Sequence, residues 1–570
     1  MLNRLSVRPT VGATFAVLCA PLASAQVQTT FSIATQSGNS VAGVGLVTNI
    51  DTVAVANGGV WIVEADTDNS DLNADSVVLR NGALVSRQGD ALAAPAGTTI
   101  SSFGSGGARI SSAGNWAWNY FLDGATSGAD SGIFFDNTLV LQEGTISLAP
   151  QFSVGTPYIG FFGAKINDAS QALVVATVED VAIASTVDRA LVRFQLGPGG
   201  ALLSETVIAK EGDVLPGQTE AVADFATGPH GSDFNDLGQV LFIADLAGST
   251  ASDGAIYLDS TLLAQEGAPS PVAGRNWLGL STSQRVALNN VGDYAFTGQL
   301  DAPTTDDIVL VRNGAVFMRE GDLAPGVSGG WTVTSFGSGA VDLDDAGNMY
   351  WFCDWTDPDI TRDTGIYRNN QLLVQEGVSV INGQLLTSIA TVQENFMVSA
   401  DGRWLIFEGG FAGGASAAIL IEMSGATSSY CTSSTTTNGC NPSIAGIGAP
   451  SASLATPFTI AVSNVEGQRL GLVFYGVSGP LATPWSATST SFLCVKTPTQ
   501  RTLAQSTGGT NAQCNGALTL NWNAFISFNP SALGAPFSSG DTLWAQGWFR
   551  DPPAPKTTNL SDGLAVVFQP

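Results

Sequence analysis

Seven copies of one short turn-and-strand pattern run through most of this chain, and a fixed internal period constrains the fold more than any other feature. The clearest copy reads Asn289-Asn290-Val291-Gly292-Asp293-Tyr294-Ala295-Phe296. Another reads Asn235-Asp236-Leu237-Gly238-Gln239-Val240-Leu241-Phe242. The turn glycine recurs at Gly59, Gly114, Gly238, Gly292, Gly347 and Gly402, with Ser170 in its place in a degenerate copy. Successive spacings are 55, 56, 68, 54, 55 and 55 residues, so one insertion of about a dozen residues is expected within 180–207. A second motif, Leu-Val/Leu-x-Gln-Glu-Gly, keeps step with the first and places glycines at Gly89, Gly144, Gly212, Gly267, Gly321 and Gly377.

One unit reads from 234 to 288. Val240, Phe242 and Ala244 alternate with other residues, which gives a strand one apolar face. Ile256-Tyr257-Leu258, Leu262 to Gln265 and part of Trp277 to Leu288 supply three more strands. Four short antiparallel strands per unit of about 55 residues match a propeller blade. The expected fold is therefore all-β: a seven-bladed β-propeller over 26–425, followed by a disulfide-containing β-sandwich over 426–570. Seven turn motifs against six Gln-Glu-Gly motifs imply a split final blade. Arg403 to Glu408 and Ala418 to Met423 would be its first two strands, with an outer strand supplied from near Val41 to Ile50. An open solenoid is the alternative architecture.

The repeat resembles the tandem Asn-x-x-Gly-x-x-Ala-Phe repeat of secreted bacterial proteins of the "choice-of-anchor" type. Asn289 to Phe296 matches at every specified position, and Asn235 to Phe242 differs by Leu241 for Ala. Asp344 to Trp351 keeps the turn and the aromatic end only. The resemblance covers about two thirds of the chain and implies architecture, with no general activity to carry over. Tyr430-Cys431, Gly439-Cys440, Leu493-Cys494-Val495 and Trp548-Phe549-Arg550-Asp551-Pro552 are similar to a terminal module of planctomycete-type secreted proteins, which implies a surface or extracellular setting.

Residues 1–25 read as a secretory signal: Arg4 and Arg8, an apolar run, then Ala23-Ser24-Ala25 before Gln26. A secreted location follows, whether extracellular, at the cell surface or periplasmic. Cys431, Cys440, Cys494 and Cys514 suggest two disulfides in an exported module. Three pairings are open, and the short loops favour Cys431 with Cys440 and Cys494 with Cys514. Acidic residues outnumber basic ones by 48 to 21, a net charge of −27. That excludes phosphate-backbone recognition and docking on anionic membranes. A monomer with a protein or glycan ligand is expected.

Few residues stand out as chemistry. His230 is the only histidine, which leaves no Ser-His-Asp triad and no His-rich metal site. Glu143, Glu211, Glu266, Glu320 and Glu376 recur by symmetry and are read as serving each blade, by accepting backbone N–H groups at a turn. Asp66-x-Asp68-x-Ser70, with Asp75, fits the start of a calcium-wrapping loop, although a sixth-position glycine and closing glutamate are missing. Calcium is thus the one cofactor considered. Two further aspartate clusters lie at 301–307 and 354–363. Twelve tryptophans include Trp116, Trp118, Trp351, Trp355, Trp544 and Trp548, which stack on sugars or pack between sheets. The leading expectation is a non-enzymatic binding protein using rim loops. One alternative is a propeller hydrolase or lyase of acidic or sulfated polysaccharide using loop carboxylates; another is a structural envelope component. An enzyme should show one blade-specific group of charged residues converging on the axis.

Overall fold

The computed structural model describes residues 27–568 apart from 105, 108, 184–187, 226–230, 281–284, 339, 392–394, 425–426, 449, 455–456, 488–489 and 539–540. The expected signal at 1–25 and His230 lie outside the described residues. The chain divides into two compact units, one of Thr29–Ser424 and one built on Gly425–Pro570. Regular structure is almost entirely strand; Trp522–Phe528 is the one α-helix among the described residues. No helix there is long and apolar enough to cross a membrane.

The first unit holds seven antiparallel sheets among its described residues. One sheet runs Val222–Phe225, Val240–Leu246, Gly254–Leu258 and Thr261–Gln265 in order, with Ser232–Phe234 also pairing the second of these. The unit boundary therefore differs from the 234–288 expectation by one strand. The reason lies in the turn motif. Asn235 Oδ1 accepts the amides of Leu237 at 3.1 Å and Gln239 at 3.0 Å, folding the chain back so that Ser232–Phe234 pairs with its own successor. Gly238 takes φ 79° at this turn, and Ser170 takes the same left-handed conformation at φ 56° in the degenerate copy.

The expectation of one apolar face per blade also needs correction. Val240, Phe242 and Ala244 pack with Leu173 and Val175 of the preceding sheet. Leu241 and Ile243, on the opposite face, pack with Trp277 and Phe296 of the following sheet. A strand covered on both sides reads as a continuous apolar run rather than an alternation.

The second motif makes the crossing between sheets. Gly267 donates its amide to the carbonyl of Trp277 at 2.8 Å, and Gly144, Gly321 and Gly377 make the same bond to Tyr158, Val333 and Leu386. Seven sheets in succession have six crossings, which explains six copies. A side chain is excluded at Gly377, where an added Cβ would lie 2.1 Å from the carbonyl oxygen of Thr361.

The last sheet returns to the first. Val53 and Val63 share a core cluster with Ile406, Ala418 and Leu420. Gln28–Gln36 pairs with Ala415–Ser424, so the N-terminal strand of the last sheet is this segment and not residues 41–50. Those residues fall in Ser40–Val41 and Gly45–Val55 of the first sheet. They reach the last sheet by apolar packing of Val41, Val47 and Ile50, not by backbone pairing. The expected insertion matches a longer hairpin, Asp188–Leu196 with Leu202–Lys210.

In the second unit a three-stranded sheet carrying Ile444, Phe458, Ile460 and Val462 faces a larger sheet carrying Val473, Tyr475, Leu543 and Leu564 across one core. Its disulfides are Cys431–Cys494 and Cys440–Cys514, with Cα separations of 6.1 and 5.3 Å. The local pairings favoured by short loops are wrong. Strand pairing decides instead: Ser428 to Tyr430 run beside Leu564 and Gly563, and the Tyr430 hydroxyl donates to the carbonyl of Cys494 at 2.7 Å. Two such bridges are compatible with an extracellular setting.

Candidate functional site: charged side chains on the ring axis

The strand that enters each turn motif lies innermost in its sheet. Together these strands line a cavity of about 130 Å³, with lining residues drawn from all seven sheets. A purely repetitive ring would present the same residue each time. Here the second sheet supplies Arg109, the third Lys165, the fourth Asp233, the fifth Arg285 and the sixth Asp342, while the first and last supply Val55 and Met397. Three cations therefore converge with Asp233 and Asp342 and with the turn carboxyls of Asp236 and Asp345, and equivalent positions carry unlike residues.

Each carboxyl bridges two sheets. Asp233 Oδ1 accepts from Lys165 Nζ at 3.1 Å, and its Oδ2 accepts the amide of Leu288 at 2.8 Å. Lys165 Nζ also donates to the Ser232 carbonyl. Asp342 Oδ2 accepts from Arg285 Nη2 at 3.3 Å and from the Val398 amide at 3.0 Å. Arg285 Nη1 donates to the Phe396 carbonyl at 3.0 Å. Burial lowers the Lys165 ammonium to about 8, with Asp233 opposing and Arg109 and Arg285 assisting. Burial also raises Asp342, against the pull of Arg285 and with a push from Asp233. The cavity thus holds Asp342, whose proton affinity burial raises, and Asp233 in contact with Lys165, within a lining of three cations and four carboxyls.

A second group of acids, also absent from the sequence reading, lies in the first and last sheets. Burial, then Asp51 and Asp66, raises Glu64 to about 8. Burial, then Asp66, raises Asp51 to about 6. Glu408 is raised by burial, with Asp51 adding to the effect. The register pairs Thr52 with Glu64, and Thr52 Oγ1 donates to Glu64 Oε2 at 3.4 Å.

The residues singled out in the sequence serve their own sheets. Asp68 Oδ1 accepts the amide of Leu46 at 2.6 Å. Asp66 lies one residue before the end of the strand Trp61–Thr67, with burial and then Asp75 raising its pKa, and Ser70 is exposed. No group of three or more His, Cys, Asp or Glu gathers to hold a metal among the described residues. Glu266 accepts the amides of Gly254 at 3.1 Å and Leu280 at 2.7 Å, and Glu320 accepts that of Ile308 at 3.1 Å. Glu376 bonds the Thr364 hydroxyl. Glu143 and Glu211 occupy the same topological position after the outer strand. The later aspartate loops are tied down as well: Asp306 to Arg319 at 2.8 Å and Asp357 to Arg362 at 3.1 Å. Trp118, Trp351 and Trp355 are fully buried.

The signal for the axial set was the residue two positions before each turn motif: Arg109, Lys165, Asp233 and Asp342 all sit there. Arg285 sits two residues earlier still, which hid the convergence.

A protein-family model described as a family of unknown function, DUF7453, matches residues 20–261. No curated protein matches the sequence. Among solved structures, a Trypanosoma rangeli sialidase in complex with the inhibitor DANA is 10% identical, covering 95% of this chain and 97% of that one, with a TM-score of 0.27. A GH43 glycoside hydrolase with an engineered active site is 10% identical over 91% of this chain and 95% of that one, with a TM-score of 0.23. Both of these solved structures are enzymes by their titles, where the sequence reading expected a non-enzymatic protein.

Proposed function

We propose that the first unit is a seven-bladed β-propeller that hydrolyses an acidic polysaccharide outside the cell. One observation carries this reading: Arg109, Lys165, Asp233, Arg285 and Asp342, unlike ionisable side chains from five different sheets, line one cavity. Structural repeats place equivalent residues alike, whereas catalysis needs unlike groups at one point. A cavity of about 130 Å³ suits the carboxylate or sulfate of a sugar rather than a whole ring, so the chain lies across its mouth. Arg109, Lys165 and Arg285 receive that anion. Asp342, whose pKa burial raises, gives a proton to the glycosidic oxygen as the bond from that oxygen to the anomeric carbon breaks. Asp233, bonded to Lys165 Nζ, acts as the second carboxyl that glycoside hydrolysis requires.

The test is a polysaccharide panel with reducing ends as readout. Acidic chains should be cleaved and neutral ones spared. Asp342→Asn keeps an oxygen to accept the Val398 amide and cannot donate the proton, so it should fold and lose turnover. A panel with no new reducing ends, or an unimpaired Asp342→Asn, defeats the reading. An ultraviolet-absorbing unsaturated product would assign elimination instead.

A further inference from the structure

The second unit carries a cavity of about 530 Å³ that the axial site does not involve. It lies on the outer face of the larger sheet. On that sheet Val473 and Tyr475 point into the core, while Leu472, Phe474, Trp548 and Leu560 form a separate cluster on the other side. The register places Leu472, Trp548 and Leu560 side by side across three strands. Trp485 closes the cavity from a neighbouring hairpin, its indole Nε1 donating to Thr558 Oγ1 at 3.1 Å. Both indoles are only partly buried. Aromatic surface left open in a concave, rigid setting is ligand-binding surface rather than core.

Charge gives the ligand its sign. Residues 425–570 contain five basic side chains against four acidic ones, in a chain with 48 acidic to 21 basic overall. Three of those five, Arg501, Arg550 and Lys556, line this one cavity. Lys556 Nζ sits 4.1 Å from the Trp485 ring centre and the Arg550 guanidinium 5.6 Å from that of Trp548. Cations gathered around two indoles, in the one part of the molecule that is not strongly acidic, fit an anion bearing a flat apolar face. Sugar rings offer such faces, and threonine hydroxyls at 497, 499 and 558 offer hydrogen bonds to their substituents.

We infer that this cavity binds one or two residues of a carboxylated saccharide, with the rings against Trp485 and Trp548 and the carboxylate on Arg501, Arg550 and Lys556. The inference stands whether or not the first unit cleaves anything.

The test uses the full mature chain and tetragalacturonate, with a neutral galactose tetramer as control, followed by titration calorimetry at low and physiological salt. The acidic tetramer should bind, more weakly as salt rises, and the neutral one at least about tenfold more weakly. R550Q/K556Q should weaken binding at least about tenfold and flatten its salt dependence, the loss expected on removing two ion contacts. Trp548→Ala should weaken it comparably, and Asp342→Asn should leave it unchanged. Both cavity variants should melt with the parent; R550Q/K556Q changes only exposed side chains and keeps the test decisive if Trp548→Ala unfolds. Absence of tetragalacturonate binding, equal binding of the neutral tetramer, or unchanged binding by R550Q/K556Q overturns the inference.

Discussion

The backbone amide of Asp401 donates to Oδ1 of Asn57 across 3.0 Å, although 344 residues separate them. This bond joins the turn of the last sheet to the turn of the first. The same relationship runs between neighbours. Asp168 donates its amide to Asp236 Oδ1, Asp236 to Asn290 Oδ1, and Asn290 to Asp345 Oδ1. One residue earlier, Asn235 Nδ2 donates to the Asn289 carbonyl at 3.0 Å and Asn289 Nδ2 to the Asp344 carbonyl at 2.8 Å. The paired Asn/Asp residues of the repeat are thus a circumferential ladder of hydrogen bonds.

Ladder bonds should differ in worth with burial. Asn289 is 4% exposed and also caps its own turn by accepting from Val291 and Asp293. Asn289→Ala should cost about 2–4 kcal/mol, because buried partners are left unsatisfied. Asn57→Ala, at a half-buried position, should cost about 1 kcal/mol. Urea unfolding followed by tryptophan fluorescence measures both; equal losses would contradict the burial argument.

Glu64 makes stability depend on pH. Its pKa is raised to about 8 by burial first and by Asp51 and Asp66 next. A raised carboxyl binds its proton more tightly when folded, so its contribution is present in acid and is lost as pH rises through about 8. Glu64→Gln should match the parent at pH 4 and exceed it at pH 9 by on the order of 2–4 kcal/mol. Melting curves at the two pH values decide it, and a Gln variant that is less stable at pH 9 would refute the assignment.

Lys165 should set the alkaline limit of turnover. It loses its proton near pH 8 because burial disfavours the ammonium. Cleavage of acidic chains should therefore decline as pH rises past about 8. Lys165→Met should lose most activity, on the order of a hundredfold for removal of one buried charge contact, and should lack that limb. An alkaline limb kept in the variant would assign it to another group.

Peptide mapping without reductant should recover Cys431 linked to Cys494 and Cys440 linked to Cys514. The bridges span 63 and 74 residues. Loops of that length imply about 4 kcal/mol of stabilisation each on the chain-entropy account. Replacing Cys431 and Cys494 together by Ser should lower the unfolding midpoint of the second unit by a corresponding amount, and an unshifted midpoint would count against it.

Much of the fold was legible in the residues. Two motifs in step marked the repeat, its pitch and its single insertion, because turns need particular residues wherever they occur. The placement of the insertion agrees with the long hairpin from Asp188 to Lys210. The closing strand was expected at the N-terminus and is there, but in Gln28–Gln36 rather than near Val41. That difference escaped because both segments are strands with similar alternation, and only pairing distinguishes them. Of the symmetrical glutamates, Glu266 and Glu320 accept backbone amides as their repetition suggested, while Glu376 bonds the Thr364 hydroxyl instead.

The axial charges and the second-unit cavity were not legible. Arg109, Lys165, Asp233, Arg285 and Asp342 each lie 52 to 68 residues from the next in sequence, and nothing local relates them. Local order in a β-protein comes from turn chemistry and side-chain alternation, which neighbouring residues encode directly. Convergence on an axis, disulfide partnership and the gathering of three cations around two indoles depend on which strands become neighbours. That choice is made by burial of the whole assembly, so the sequence alone determined the period, the turns and the strands, and tertiary packing decided which distant side chains meet.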